Sequence, residues 1–254
     1  ASVMPEILAF LASHGVGGKP VRLTMPREQD MAAAPGRIGL EADITLGASK
    51  DGLIHAAELT YWLDCGAYTD ISPYMTKAIA VDCTGPYHVE NLSCDALCVY
   101  TNHTHATSYR SFAHESYTYC IERTLDMLAD RCALDPLELR IRNAIRPGSL
   151  TPTQVECTAA LTGNLTECLN RVRQLSQWNG GIATPIKKDT VRAMGVSCFW
   201  KTENPPTDAI SGALVTCNPD GSVNLHTGVV EMGDAGQTHL AQMFAEKLKI
   251  DTDK

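Results

Sequence analysis

The feature that most limits what this chain can fold into is the alternation of apolar and polar residues on both sides of Asp51-Gly52. Residues 40–46 place apolar side chains at every second position, and residues 53–63 do the same except at His55, which is the period of a strand with one buried face. Asp-Gly is a dipeptide that a two-residue hairpin turn favours. The pattern predicts an antiparallel hairpin and argues against a doubly wound parallel sheet.

Helical and strand-like patterns surround this hairpin. Helices are predicted for residues 2–12, 74–81, 115–132, 136–143, 167–178 and 240–248. Further strands are predicted for residues 21–25, 94–100, 195–200, 213–217 and 223–226. Together they predict an α+β fold of mixed, largely antiparallel sheets with packed helices in two lobes, with the polar residues 151–177 as the linker candidate.

The helix predicted at residues 115–132 has one apolar face. Apolar or thiol side chains are expected to point inward, namely Tyr117, Cys120, Ile121, Leu125, Leu128 and Cys132. Charged side chains are expected outside, namely Glu122, Arg123 and Asp126. Behind it, Asp135 and Pro136 predict the start of the next helix, with Glu138 completing a capping box and Arg140 near the far end.

Composition limits the partners and the compartment. The formal net charge is -8 and no basic run is long, so we expect neither nucleic acid nor a membrane as a partner. No apolar stretch has the length of a membrane span. The ten cysteines are spread through apolar runs, so we interpret most as buried thiols of a cytoplasmic protein and expect no cysteine metal site.

Two alternatives remain open from the residues alone. Glycosylation triplets at Asn91, Asn102 and Asn164 are compatible with a secreted, noncatalytic glycosylated binding module whose cysteines pair. Intact-mass measurement separates that alternative, because free thiols without glycan would contradict it. The other alternative is a metal site formed by the three histidines His103, His105 and His114.

Two loops that lead into predicted helices could hold an anion or a carbonyl oxygen. The first, residues 101–115, contains Arg110, whose permanent charge and planar fork can orient an oxygen. The second, residues 231–236, contains two glycines. A plain surface arginine and a plain strand-to-helix connection are the alternatives. The glycine-rich residues 14–19 leave a helix and enter a predicted strand, the reverse of a phosphate loop, so we interpret them as a turn.

Several short motifs follow one another along the chain in a particular order and spacing. They are Lys19-Pro-Val-Arg22, Arg27-Glu-Gln-Asp30, Thr101-Asn102, Tyr109-Arg110, the decapeptide 134–143, Pro219-Asp-Gly-Ser-Val223 and Glu231-Met-Gly233. This order resembles the molybdenum-binding portion of the xanthine dehydrogenase and aldehyde oxidase family of molybdenum hydroxylases. The resemblance spans nearly the whole chain.

The resemblance implies roles for individual residues. Arg110 corresponds to the arginine that faces the molybdenum and orients the substrate or stabilises charge developing on it, which makes it the implied catalytic residue. Contacts with the pterin cofactor are implied for Ser111, Phe112, Arg142, Met232, Gly233 and Asp234. No protein ligand to the metal is implied.

The chain departs from the family pattern in the same two loops. Ser111 and Ala113 stand where the family has glycine, and Ser111 also argues against the carbon monoxide branch, which has a copper-binding cysteine there. Asp234-Ala235 stands where the family has Gln-Gly. A carboxylate beside an anionic cofactor would be unfavourable unless it points away or is paired.

The implied function is that of a fragment of a molybdenum-dependent hydroxylase or dehydrogenase, inactive alone, that acts on an aldehyde or an N-heterocycle. Residues 1–148 would be the first molybdopterin-binding lobe without its N-terminal part, and residues 149–254 the beginning of the second. The cofactor would be molybdopterin, or its cytosine dinucleotide form, with 2Fe-2S and FAD on other domains or subunits. Its implied partners are a small-molecule substrate and those other parts, in a homo-oligomer or hetero-oligomer.

Overall fold

The computed structural model of the protein describes residues 4–201, 210–231 and 233–252. The chain divides into two compact units, Ala1–Thr202 and Glu203–Lys254. The fold is α+β, with small mixed and antiparallel sheets and packed helices, as predicted.

The first unit contains both the longest strands and the longest helix. Its elements are α1 (Met4–Gly15), α2 (Arg27–Ala33), β1 (Gly36–Arg37), β2 (Gly39–Ala48), β3 (Ile54–Asp64), α3 (Ser72–Asp82), β4 (Asn91–Val99), β5 (Ala106–Thr107), α4 (His114–Cys132), α5 (Pro136–Asn143), α6 (Ala159–Thr162), α7 (Leu165–Ser176), β6 (Thr184–Lys187) and β7 (Thr190–Arg192). The second unit contains β8 (Ala213–Cys217), β9 (Val223–Thr227) and α8 (Gly236–Leu248).

The predicted hairpin is confirmed as β2 and β3, which pair antiparallel around the turn at Asp51-Gly52. Gly52 has a φ of +82°, and a Cβ there would lie 2.4 Å from a methyl carbon of Leu134. Only glycine therefore suits the turn. After α3, the strand β4 joins the other edge of β3 in parallel, so this three-stranded sheet is mixed rather than purely antiparallel.

Two predicted strands are wrong. Residues 21–25 are largely exposed and have no strand pairing within the described ranges. Residues 195–200 also lack a ladder, although Val196, Cys198 and Trp200 alternate inward and are at least half-buried. In this segment the alternation reflects side-chain packing without backbone pairing, a distinction that a period-two pattern alone does not make.

Two apolar clusters fill the first unit. One lies among the sheet, α3 and the start of α4, and includes Tyr61, Met75, Ile79 and Tyr117. The other lies among the end of α4, α5 and α7, and includes Leu125, Leu137, Leu139 and Leu169. Because α4 takes part in both clusters, its first residue is held in a fixed place against the sheet.

The predicted outward position of Glu122 is wrong. Glu122 is buried, and the fully buried Arg140 of α5 donates from Nε to its carboxylate at 2.8 Å. The Tyr87 hydroxyl donates to the same carboxylate at 2.5 Å. Burial raises the pKa of Glu122, while Arg140 and Tyr87 oppose that rise. A charge can lie on the core side of a helix when another element supplies its partner, and spacing along one helix does not reveal that partner.

The remaining predicted elements hold in outline. Asp135 caps α5 by accepting from the amides of Leu137 and Glu138, whereas the Glu138 side chain pairs with Arg142 and Arg173. The hairpin β8–β9 and the helix α8 form in the second unit. All ten cysteines are free thiols. Among the described helices, none has the length and apolar character to cross a bilayer.

Candidate functional site

The loop that contains Arg110, residues 108–113, connects β5 to α4 and is called the Arg110 loop below. Its entry is fixed because β5 pairs in parallel with β1, matching Ala106 with Gly36 and Thr107 with Arg37. Its exit is fixed because His114, the first residue of α4, is buried. Arg110 thus lies in a short loop ahead of a helix, as the sequence predicted.

The backbone of the Arg110 loop is strained. Ser111, Phe112 and Ala113 have φ values of 80°, 61° and 65°, the left-handed region that favours glycine. Each such residue costs about 1 kcal/mol or more relative to an ordinary conformation. Two of the three positions are those where the family resemblance leads one to expect glycine, so this chain keeps the conformation without the residue that would make it easy.

An exposed clamp holds the loop from outside. The Arg37 guanidinium pairs with the Glu115 carboxylate and donates to the Arg110 carbonyl at 3.5 Å. Its Cζ lies 4.6 Å from the centre of the Tyr109 ring, in cation–π contact. The Ser111 hydroxyl also donates to Glu115. Arg37 therefore fixes the residue before Arg110, the Arg110 carbonyl and the start of α4.

A buried contact holds the loop from beneath. The His114 Nδ1 atom lies 3.0 Å from the Ser111 carbonyl oxygen and 3.2 Å from that of Phe112. On the other side of the ring, Nε2 lies 2.9 Å from an Asp82 carboxylate oxygen. The side chains of His114 and Asp82 are 0% and 1% exposed.

The Arg110 side chain itself is exposed. Across residues 4–201, 210–231 and 233–252, no hydrogen-bond or ion-pair partner of its guanidinium is found. The contacts that hold the loop thus involve its backbone carbonyls and the side chains next to Arg110. The charge of Arg110 is left available to a group from outside the chain.

Arg142 lies in a different environment. Its Nη1 donates to the Asp51 carbonyl at 2.6 Å and its Nε donates to Glu138 at 3.2 Å. The carboxylate of Glu138 also accepts from Arg173 at 2.9 Å. The Arg173 and Arg142 guanidinium groups lower the pKa of Glu138. Among the described residues, Arg142 shares no hydrogen-bond partner with the Arg110 loop, so no hydrogen bond or ion pair links these two predicted site residues.

The second predicted loop, residues 231–236, is called the Glu231 loop below, and Met232 lies outside the described residues. One oxygen of the Glu231 carboxylate accepts from the amide of Gly233 at 2.6 Å and from the amide of Ala235 at 3.1 Å. The Asp234 carboxylate accepts from the Gly236 amide at 3.4 Å. Backbone amides ahead of α8 thus converge on an anionic oxygen.

The three histidines do not form a shared site. His103 bonds Asp64 at 2.5 Å, whereas His114 is buried against Asp82. Burial alone would raise the pKa of Asp64, but hydrogen bonds from Thr101, the Gly66 amide and His103 outweigh it and lower that pKa. In the part of the chain that the structure describes, no group of three metal-ligating side chains is found.

Several residues that support the Arg110 loop were not singled out from the sequence as its supports. Arg37 lies in a strand of two residues, which leaves no periodic signal. Asp82 carried an electrostatic signal. A carboxylate in the last turn of a helix is unfavourable next to the helix dipole, so its presence there is best explained by a partner on another element.

Comparison with known proteins supplies the family. Residues 1–144 match the model of a molybdopterin cofactor-binding domain, and residues 171–254 match a second model of that description. The xanthine dehydrogenase molybdenum-binding subunit of Escherichia coli O157:H7 is 28% identical over 98% of this chain and 33% of its own length. The aldehyde oxidoreductase of Megalodesulfovibrio gigas is 26% identical over 90% of this chain and 25% of its own length.

A solved structure agrees with the fold. The aldehyde oxidoreductase from Desulfovibrio gigas superposes with a TM-score of 0.71 at 23% identity, covering 96% of this chain and 27% of that one. The chain thus spans a quarter to a third of the length of these relatives. With two family models matched in order along it, the chain belongs to the molybdopterin cofactor-binding domains of the xanthine dehydrogenase and aldehyde oxidase family.

Proposed function

We propose that this chain supplies part of the molybdopterin-binding region of an oxidoreductase that hydroxylates an aldehyde or an N-heterocycle, and that Arg110 acts on the substrate. The observation that carries the proposal is the Arg110 loop. It keeps three left-handed residues at a strained turn and exposes a guanidinium without a partner in the described chain. Strain maintained around an available charge is typical of functional sites.

The residues present fit an anionic cofactor. In the Glu231 loop, two backbone amides already bind one carboxylate oxygen, so the loop has the geometry to bind an oxygen of the cofactor's phosphate. We propose that Gly233 and Ala235 hold the cofactor through their amides, and we keep Met232 as a contact implied by the sequence alone. Asp234 accepts from the Gly236 amide, so its charge is partly compensated at the start of α8.

The chemistry divides between cofactor and protein. When bound, the cofactor supplies the molybdenum centre at which the substrate is oxidised. Arg110 holds a substrate oxygen or nitrogen in a fixed orientation and stabilises negative charge that develops there. Ser111 and Phe112 set the direction of Arg110 and line the approach to it. Arg142, bonded to Glu138 and Asp51, stabilises the turn of the β2–β3 hairpin in this proposal.

Wider features follow as part of the same proposal. The relative from Escherichia coli is named a molybdenum-binding subunit, which supports placing 2Fe-2S and FAD on other domains or subunits of a cytoplasmic assembly. The cofactor is molybdopterin or its cytosine dinucleotide form. The first family model ends at residue 144 and the second begins at residue 171. This gap supports two lobes divided near residue 148.

Reconstitution with purified molybdopterin tests the proposal. The isolated chain is expected to bind the cofactor weakly in equilibrium dialysis and to turn over neither aldehyde nor N-heterocycle. In an enzyme that contains the chain, Arg110→Met should lower kcat/KM by about a hundredfold or more. Arg171→Met, at an exposed position of α7, is the control. Equal activity of both variants, or full turnover by the isolated chain, would contradict the proposal.

A further inference from the structure

We propose that His114 is a positioning residue for Arg110: its bonds to two loop carbonyls hold the Arg110 loop in its left-handed conformation, and Asp82 orients its ring. The functional consequence rests on the function proposed above. The conformational part stands independently, since it concerns only residues of this chain.

Two carbonyls of the Arg110 loop point at the His114 ring. The His114 Nδ1 atom lies within 3.0 Å and 3.2 Å of the carbonyl oxygens of Ser111 and Phe112. Those carbonyls point at the ring only while residues 111–113 keep positive φ values. Returning residues 111–113 to ordinary conformations would turn both carbonyls away and leave a buried N–H without an acceptor. The ring thus selects the strained conformation.

The hydrogen bonds of the His114 ring require one proton at Nδ1 and one between Nε2 and Asp82. Carbonyl oxygens only accept, so Nδ1 must carry a proton. Nε2 faces a carboxylate oxygen at 2.9 Å, so a proton must lie between those two atoms as well. The pair is satisfied as imidazolium with carboxylate or as imidazole with carboxylic acid. Without that shared proton, two lone pairs would face each other in a dry interior.

Neighbouring aromatic residues hold the pair of His114 and Asp82 rigidly in place. The His114 ring meets the edges of Tyr117 and Phe199, with ring centres 5.5 Å and 6.3 Å away. On the other side of the pair, Trp200 donates from its indole to the Asp82 carbonyl at 3.4 Å. Asp82 ends α3 and His114 begins α4. The pair therefore fastens the Arg110 loop to the junction of two helices that are packed in the core.

The consequence concerns the direction of the Arg110 side chain. Arg110 precedes the three left-handed residues directly, so their dihedral angles decide where its backbone points. Arg37 fixes the outer side of the same loop but is itself half-exposed. His114 is the buried support, and its loss should loosen the loop while the surrounding clusters still form.

Two substitutions separate the two contacts of His114. In His114→Asn the side-chain amide can still donate to the loop carbonyls but does not reach Asp82. In His114→Gln the amide reaches Asp82 but no longer donates to the carbonyls. Ile121→Ala, in the same apolar cluster but without a hydrogen bond to the loop, is the control for lost stability.

Tryptic cleavage of the 110–111 peptide bond reports on the loop directly, because trypsin cuts after arginine. The folded chain of 254 residues is the substrate, and the fragments are assigned by mass spectrometry. His114→Gln should be cut about tenfold faster than wild type, whereas His114→Asn and Asp82→Asn should stay within about threefold. Cleavage that follows the melting temperature alone across these variants and Ile121→Ala would overturn the proposal.

Nitrogen NMR of the histidine-labelled chain provides a second readout. The His114 Nδ1 atom should carry a proton, unlike the Nε2 tautomer that free neutral histidine favours, and an unprotonated Nδ1 would overturn the proposal. A failure of the proposed function looks different. If Arg110→Met leaves substrate oxidation unchanged while His114→Gln still accelerates cleavage, the positioning role stands and the catalytic role of Arg110 does not.

Discussion

The Arg110 loop and the Glu231 loop solve the same backbone problem in opposite ways. In each loop an alanine with a positive φ, Ala113 at 65° and Ala235 at 57°, stands directly before the first residue of a helix without a side-chain cap. The first loop turns carbonyls inward to a buried donor, His114. The second turns amides outward to an exposed acceptor, Glu231. One loop therefore presents a charged side chain, and the other presents backbone donors.

The supports also differ in their distance along the sequence. Arg37 and Asp82, which hold the Arg110 loop, are 73 residues from Arg110 and 32 residues from His114 respectively. Glu231 holds its own loop over four residues. The first loop consequently depends on the folded core, whereas the second depends mainly on its own sequence.

The two loops should differ most in the free energy of unfolding that is lost when the carboxylate supporting each loop, Asp82 or Glu231, is removed. Asp82→Ala is expected to lower the free energy of unfolding by about 3 kcal/mol, because it leaves a buried histidine without its partner. Glu231→Ala should cost less than about 1 kcal/mol, because its bonds are exposed to water. Hydrogen exchange resolved for α4 and α8 measures both. Similar losses would show that the buried support is not special.

The Glu231 loop should gain affinity for an anion when its own carboxylate is removed. In Glu231→Ala the amides of Gly233 and Ala235 lose their internal acceptor, so inorganic phosphate should bind about tenfold more tightly. Glu246→Ala removes the same charge from the exposed face of α8 and serves as the control. Calorimetric titration measures both. Equal affinities would mean that net charge, rather than the cradle, controls binding.

The exposed clamp of the Arg110 loop should matter less than the buried pair. Arg37→Met removes a half-exposed ion pair and the contact with Tyr109. We expect a loss of up to about 1 kcal/mol and a few-fold rise in tryptic cleavage after Arg110. Arg27→Met, which removes the exposed pair with Asp30, should change neither. A larger effect than that of Asp82→Ala would reverse the order of the two supports.

Glycine in place of the alanine before each helix should affect the two loops differently. Ala235 is half-buried, so Ala235→Gly mainly relieves the left-handed strain and should stabilise by about 0.5–1 kcal/mol. Ala113 is buried, so Ala113→Gly also removes a packed methyl worth about 0.8 kcal/mol and should be nearly neutral. Thermal unfolding of both variants checks the difference. A clear gain at Ala113 would mean that its methyl group contributes little to packing.

The smallest effect concerns pH near the entry to the first loop. The Thr104 carbonyl and the Asp64 carboxylate raise the pKa of His103, so this contact stabilises fully below the ordinary histidine pKa and fades as pH rises through the raised one. Asp64 has a lowered pKa, so its contribution fades as pH falls through that value. Proton NMR of His103 should show a lower pKa in Asp64→Asn than in wild type, and no change would contradict the pairing.

Local pattern predicted much of the fold. The β2–β3 hairpin, the cap at Asp135 and the positions of α3 and α7 follow from residues that lie close together in sequence. Glu122 could not be placed, because its burial depends on Arg140 from another helix. Residues 21–25 have the composition of a strand but pair with no strand among the residues that the structure describes. The pattern in one segment does not contain that information.

The candidate site divides in the same way. Arg110 was singled out because it stands at a loop-to-helix boundary and matches an arginine of the family that the sequence resembles. Ser111 and Ala113, the two departures from glycine after it, have left-handed φ values. The role of Arg37 could not be predicted, because only the folded chain brings it to the loop, and the place of Asp82 at a helix end indicated a partner without saying which one. Arg142 stays a predicted cofactor contact, and in the structure its guanidinium is bonded to Asp51 and Glu138.

The two-residue pairing of β1 with β5 has a consequence for the order of folding. It joins segments so far apart that the closure entropy exceeds that of the four-residue Glu231 contact by on the order of 2–3 kcal/mol. The hairpin β2–β3 can form early from neighbouring residues, whereas the Arg110 loop must wait for this distant closure. A refolding chain should therefore acquire its sheet before it acquires an oriented Arg110.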